Sequence, residues 1–199
     1  MSLLQYGVVR FPETGLNDAG HVAFAARFGE LDDVTVQQAS ILRAAQLPPA
    51  GTSGATEFAD SRSAYDDLPQ DLKSLRQQKD YVACHSLYHS RKTASPEALP
   101  GLKPEDHFMS RHCLVQKHEA SGRMNLYMAS HVHHIGGLET EESRVLVERL
   151  YGLACKGKYV VSIPWDREGD LVVWDNTCVM HRSTGGGLGL RESLLEVCY

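Results

Sequence analysis

The chain has 199 residues, is 42% hydrophobic and 23% charged, and carries a formal net charge of −5, the profile of a single globular domain with room for a hydrophobic core. The mild acidity weighs against nucleic acid as the main partner, because phosphate binding wants a basic face. No apolar run approaches the roughly 18 residues of a membrane span, and the five cysteines, odd in number and without a Cys-x-x-Cys pair, fit the reduced thiols of a cytoplasmic protein.

In chain order, the opening stretch lacks a basic flank and a small-residue cleavage site, so it reads as an edge or buried strand rather than a signal peptide. Its Val-Val core, between Gly7 and Phe11, is strand-like. Asn17 is placed to cap a helix from Asp18 to about Phe28, with Gly29 as its stop. The text from Val34 to Leu42 fits either a strand or a helix. A turn-rich loop beginning at Leu47 then delivers Thr56-Glu57-Phe58-Ala59-Asp60.

Two short helices are expected over Ser61 to Asp67 and Gln70 to Lys79, separated by Leu68-Pro69. Residues 80–112 mix polar and apolar text with several histidines and read mostly as loop. Cys113-Leu114-Val115 and Asn125 to Met128 look like strands joined by a polar turn at Glu119 to Gly122. Thr140 is placed to cap a helix to about Ala154, with Val145, Leu146, Leu150 and Leu153 at helical spacing. Tyr159 to Ile163 and Leu171 to Trp174 are the clearest strands, and a tight turn at Gly169-Asp170 opens the second. A corner at Asp175-Asn176 follows, then a strand carrying His181, then a glycine-rich tail from Thr184. Strands grouped around loops with a few peripheral helices predict an α+β fold with a sandwich or jelly-roll core.

Several groups in this text could do chemistry. His181, at a strand end, is either a metal ligand or a hydrogen-bonded structural imidazole. Thr56 follows a glycine loop, where its hydroxyl either holds an anion or closes a turn. Arg191 could grip a carboxylate in two-pronged fashion, or lie on the surface. In a strand His131 and His133 would share a face and chelate a metal, or line a polar loop. Asp175 and Asn176 read as turn residues whose side chains bond nearby backbone. There is no P-loop, dinucleotide fingerprint, nucleophile elbow or His-Glu-x-x-His.

Taken as an ordered set, several segments resemble the TauD/TfdA (taurine / 2,4-dichlorophenoxyacetate dioxygenase) family of Fe(II)- and 2-oxoglutarate-dependent oxygenases. They are Tyr6-Gly-Val-Val-Arg-Phe-Pro12, His21 to Gly29, Leu47-Pro-Pro-Ala-Gly51, Thr56-Glu-Phe-Ala-Asp60, Ala64-Tyr-Asp-Asp-Leu-Pro69, Ser121 to Tyr127, and Gly169 to Asn176 with His181-Arg182. The resemblance implies a distorted double-stranded β-helix over a single domain, 1–199. It also implies Fe(II) held by a His-x-Asp pair plus a distal histidine, with 2-oxoglutarate as co-substrate and a small organic acid or secondary metabolite as substrate. On it, His181 matches the distal iron ligand, Thr56 the threonine that contacts 2-oxoglutarate, and Arg191 the arginine that pairs with it.

Two departures accompany the likeness. The second arginine expected four positions beyond Arg191 is Leu195. The family places His-x-Asp between the Arg-Phe-Gly helix and the Leu-Pro-Pro-Ala-Gly loop, whereas here Glu30 to Gln46 runs across that interval without a histidine. No His-x-Asp or His-x-Glu occurs anywhere in the chain. The resemblance therefore implies a shortened form, clipped at the N-terminus, around 34–40 and at the C-terminus, with one side of the barrel open. Three readings stay open: an oxygenase whose missing ligands come from Asp60 or His131 and His133, a metal-free descendant using the remnant pocket, and an inactive shortened product.

Overall fold

The computed structural model describes residues 3–28, 39–47, 54–78 and 81–184. Two three-stranded antiparallel sheets position the site. In the first, β10 (Leu171–Asp175) runs between β1 (Val8–Phe11) and β2 (Ala39–Arg43). In the second, β3 (Ala55–Asp60) runs between β9 (Val160–Pro164) and β11 (Val179–Ser183).

The central strands are covered on both faces, which is why β10 is buried at all five positions. Its Val172 and Trp174 meet Phe58, Ile163 and Val179 of the other sheet in one apolar cluster between the two sheets. The opposite face of the second sheet, at Ala59 and Met180, joins a larger core. That core also takes in α3 (Ser61–Asp66), α4 (Gln70–Gln78) and α6 (Thr140–Ala154). A third sheet, β5 (Ser110–Cys113), β4 (Val82–His85) and β8 (Val132–Ile135), and a hairpin of β6 (Val115–Lys117) with β7 (Met124–Leu126) complete the strands.

Among the described residues the sandwich is not closed all round. Residues that pair directly across a sheet share a face, so Leu42, opposite Val172, and Val161, opposite Phe58, both belong to inner faces. Both sit on edge strands, and both are about half exposed, at 46% and 48%.

The structure revises the sequence reading in several places. The opening strand is a short helix, α1 (Leu3–Tyr6), and strand pairing begins only at Val8. Asn17 caps α2 (Asp18–Ala25) by accepting from the Gly20 N–H, but the helix ends at Ala25, before Phe28. Gly29 and residues 34–38 of the ambiguous stretch lie outside the described residues, and the remainder is strand. Thr140 is the first helical residue of α6 rather than its cap; Glu139 precedes it without a side-chain capping bond.

The largest correction concerns residues 80–112. They hold β4, α5 (Leu87–Ala94) capped by the Ser86 hydroxyl, a 3₁₀ turn at Pro104–Asp106 and most of β5. The reason is tertiary. His85 is buried against His112, His131 and Tyr127, so a polar residue fills a core position and breaks the apolar pattern by which strands are recognised.

Gly7 fixes how α1 meets β1. It adopts φ +76°, and a Cβ there would fall 2.4 Å from Val179 Cγ2 and 3.1 Å from the Arg62 guanidinium. Arg62 is fully buried, ion-paired to Asp60, and donates to the carbonyls of Leu4 and Gln5. Gly7→Ala therefore combines left-handed backbone strain with overpacking and should destabilise the protein by about 2–4 kcal/mol. Urea denaturation of the variant beside the parent measures this; an unchanged midpoint would show that the N-terminal junction relaxes freely.

Candidate functional site

The site grows out of the register between β3 and β11. On β3, Thr56 and Phe58 alternate with Glu57 and Ala59, so the first pair faces the interior between the two sheets. His181 lies opposite Phe58 on β11 and shares that face, with the two rings stacked at 6.2 Å between centroids. Trp174 of β10 closes on His181 from the other sheet at 4.7 Å and on Phe58 at 5.4 Å. Arg182, one residue on, takes the opposite face and pairs there with Glu57.

Polar bonds anchor these walls. The Trp165 indole N–H donates to Thr56 Oγ1 at 3.0 Å, and Thr56 is almost fully buried. Among the described residues no acceptor takes the Thr56 proton, so its O–H is oriented by Trp165 and available to an anionic oxygen. The Trp174 N–H donates to Asn176 Oδ1 at 2.7 Å, and Asn176 in turn donates to the Ser40 hydroxyl of β2. Asn176 thus does more than turn the chain: it fixes the Trp174 ring and ties it to the sheet edge. Asp175 accepts from the backbone N–H and the hydroxyl of Thr177, an Asx turn, and meets His118 Nε2 at 3.0 Å.

Of the three residues that the resemblance matches to family roles, Thr56 and His181 therefore come to one face of one sheet, and Arg191 lies outside the described residues. The two tryptophans and Phe58, which complete the walls, escaped the sequence reading. The available signal was that both of the chain's tryptophans fall at the ends of the two clearest strands.

The candidate substitute ligands do not join His181. Asp60 accepts from the Arg62 and Ser63 side chains and is ion-paired to Arg123. Burial pushes its carboxyl upward, but these partners outweigh that and hold it below the usual carboxylate range. His131 and His133 do not form a chelating pair: His131 precedes β8 and packs on His85, while His133 contacts His89, His134 and Glu105. Among the described residues, the one group of three metal-type ligand atoms is His118, Asp175 and Cys178. His118 Nε2 bonds the Asp175 carboxylate, and the Cys178 thiol donates to the Asp175 backbone carbonyl. Burial and the Asp175 charge push the Cys178 thiol up to about 12, so the cluster braces the β10–β11 corner. A cavity of about 410 Å³ beside it is lined by His112, His118, Tyr127, Asp175 and Thr177, among others, and by neither Thr56 nor His181.

Burial lowers the His181 pKa to about 4 and that of His131 to about 4; it takes His85 to about 2, with help from neighbouring imidazole charges. Each therefore binds protons less readily folded than unfolded, where histidine titrates near 6.5. As pH falls below 6.5 the unfolded chain takes up the extra protons, so stability is complete above 6.5 and is lost towards pH 4. Urea denaturation across that range should show this decline, with a shallower slope for His181→Phe; an identical slope would mean that His181 titrates alike in both states.

Comparisons with known proteins converge. The family model described as "Taurine catabolism dioxygenase TauD, TfdA family" matches residues 33–199. An alpha-ketoglutarate-dependent 2,4-dichlorophenoxyacetate dioxygenase of Burkholderia sp. (strain RASC) is 39% identical over 157 residues, covering 78% of this chain and 50% of that protein. The chain thus matches about half the length of that relative. An (S)-phenoxypropionate/alpha-ketoglutarate-dioxygenase of Sphingobium herbicidovorans is 30% identical over 226 aligned positions, covering 91% and 77%. That alignment is longer than this chain, so the relative carries residues that have no counterpart here. Among solved structures, AAD-2 in complex with Mn(II) and N-oxalylglycine superposes with a TM-score of 0.79 at 27% identity, over 99% of this chain and 86% of that one.

Proposed function

The chain belongs to the TauD/TfdA family of 2-oxoglutarate-dependent dioxygenases, and from that premise we propose that it binds 2-oxoglutarate and a small organic acid between its two three-stranded sheets. A divalent metal and 2-oxoglutarate (alpha-ketoglutarate) are the family's cofactors. In this proposal residues 1–199 are one TauD-like domain, its paired sheets a distorted double-stranded β-helix and its location cytoplasmic. The four free thiols among the described cysteines support that location, and no described helix is long and apolar enough to cross a membrane.

The observation that carries the reading is the convergence of Thr56, Trp165, Trp174, Phe58 and His181 on one interior. Each group has a task. The Thr56 O–H, aimed by Trp165, donates to a carboxylate oxygen of 2-oxoglutarate. Arg191 supplies the opposing charge. Phe58 and Trp174 form an apolar wall that sheds water from the bound acid and strengthens those polar contacts. The substrates in the relatives' names, an aryloxyacetate and an aryloxypropionate, combine a carboxylate with an apolar ring, which suits such a wall. When bound, the family's metal supplies oxidative chemistry; the described residues do not provide its ligand set around His181.

Trp165 and Trp174 are the chain's two tryptophans, so selectively excited tryptophan fluorescence reports on this site. In metal-supplemented buffer, 2-oxoglutarate or N-oxalylglycine should quench it saturably. Thr56→Val should weaken that binding by about 10- to 100-fold, the worth of a hydrogen bond to a charged group. Absence of any saturable response to either acid rejects the reading.

A further inference from the structure

We infer that His181 does not hold a metal ion in this chain, and that the interior binds its acid ligands without one. The inference rests on the proposed reading of that interior as the co-substrate site and concerns its ligand set. Among the described residues the deficit is one of metal donors. Phe58 and Trp174 pack on the His181 ring and neither can ligate, and no described group of three His, Cys, Asp or Glu ligand atoms includes it.

A second imidazole is not at hand elsewhere in the sequence. All ten histidines fall within the described residues, and the other nine are placed by different contacts. His85 packs with His112 and His131. His89 and His134 both contact His133, which also pairs with Glu105. His107 stacks on Tyr88, His118 bonds Asp175, and His21 sits on α2. The carboxylate two positions beyond Phe58, Asp60, is committed to Arg62, Ser63 and Arg123.

Stable capture of a divalent ion needs three or more donors in defined geometry, because a single imidazole competes poorly with water. Leu42 and Val161, inner-face residues on strands that are edges among the described residues, are each about half exposed. The aligned relative carries extra residues that this chain does not.

Electron paramagnetic resonance of Mn(II) tests the inference independently of activity. The free Mn(II) signal should be undiminished by the full chain with or without 2-oxoglutarate, indicating affinity weaker than roughly 1 mM. Capture that is equal in the parent and in His181→Phe places the ion elsewhere and also supports the inference. Stoichiometric loss of the signal that His181→Phe restores overturns it. Fluorescence titration in parallel separates the two claims. Quenching by N-oxalylglycine that is the same in EDTA as in Mn(II) supports both, whereas quenching only with Mn(II) overturns the metal-free inference and keeps the acid-binding reading. No quenching under either condition rejects metal-free acid binding along with that reading.

Discussion

The register between β3 and β11 is the constraint on which the rest depends. Side chains in a strand alternate with a period of two, so a slip of one residue would send His181 outward and bring Arg182 into the apolar interior. Both ends of the pair are locked. At one end the Thr184 hydroxyl accepts from the Ala55 N–H at 2.7 Å and donates to its carbonyl at 2.9 Å. At the other, the Ser61 hydroxyl donates to the Cys178 carbonyl at 2.8 Å and Asp60 caps α3. The Arg182–Glu57 ion pair on the outer face adds a check, because the slipped arrangement would bury both charges. Candidate site residues far apart in sequence are therefore aligned by backbone geometry.

The environment created by that register favours a neutral imidazole. Three aromatic rings packed at 4.7 to 6.2 Å supply dispersion and stacking contacts. They exclude the water that would solvate an imidazolium, and this is why burial alone takes the His181 pKa to about 4. A metal site would also want a neutral ring, so protonation is not the obstacle to metal binding. Compare His118, which has partners on both ring nitrogens, Ser121 on one and Asp175 on the other. That ring is fully used in holding the hairpin of β6 and β7 to the β10–β11 corner.

How far the sequence disclosed this depends on what kind of signal each element carries. Strands β9 and β10 were legible because Val-Val-Ser-Ile and Leu-Val-Val-Trp are short apolar runs bounded by turns. The run from Leu171 to Trp174 has no alternation because both faces of β10 are covered. Asn17 was legible as a cap because its side chain bonds locally, to Gly20. Thr140 misled because an acceptable capping residue stood one position inside the helix. His118 and Asp175 could not be paired by reading, since the contact joins two hairpin corners 57 residues apart and nothing local marks either end. The candidate pair Thr56 and His181 was matched to family roles by resemblance, and their shared face follows only from the strand register.

The open side of the sandwich has a physical consequence of its own. β2 and β9 each leave one edge without a paired strand among the described residues, and each presents a half-exposed inner-face aliphatic residue, Leu42 and Val161. Exposed apolar edges attract further strands, and proteins usually blunt them with charge, proline or a bulge. Here the blunting is modest. Arg43 ends β2 and pairs with Asp18 of α2, and Pro164 ends β9. Neither device covers the middle of its strand. Among the described residues, the backbone donors and acceptors along these two edges therefore have no strand partner.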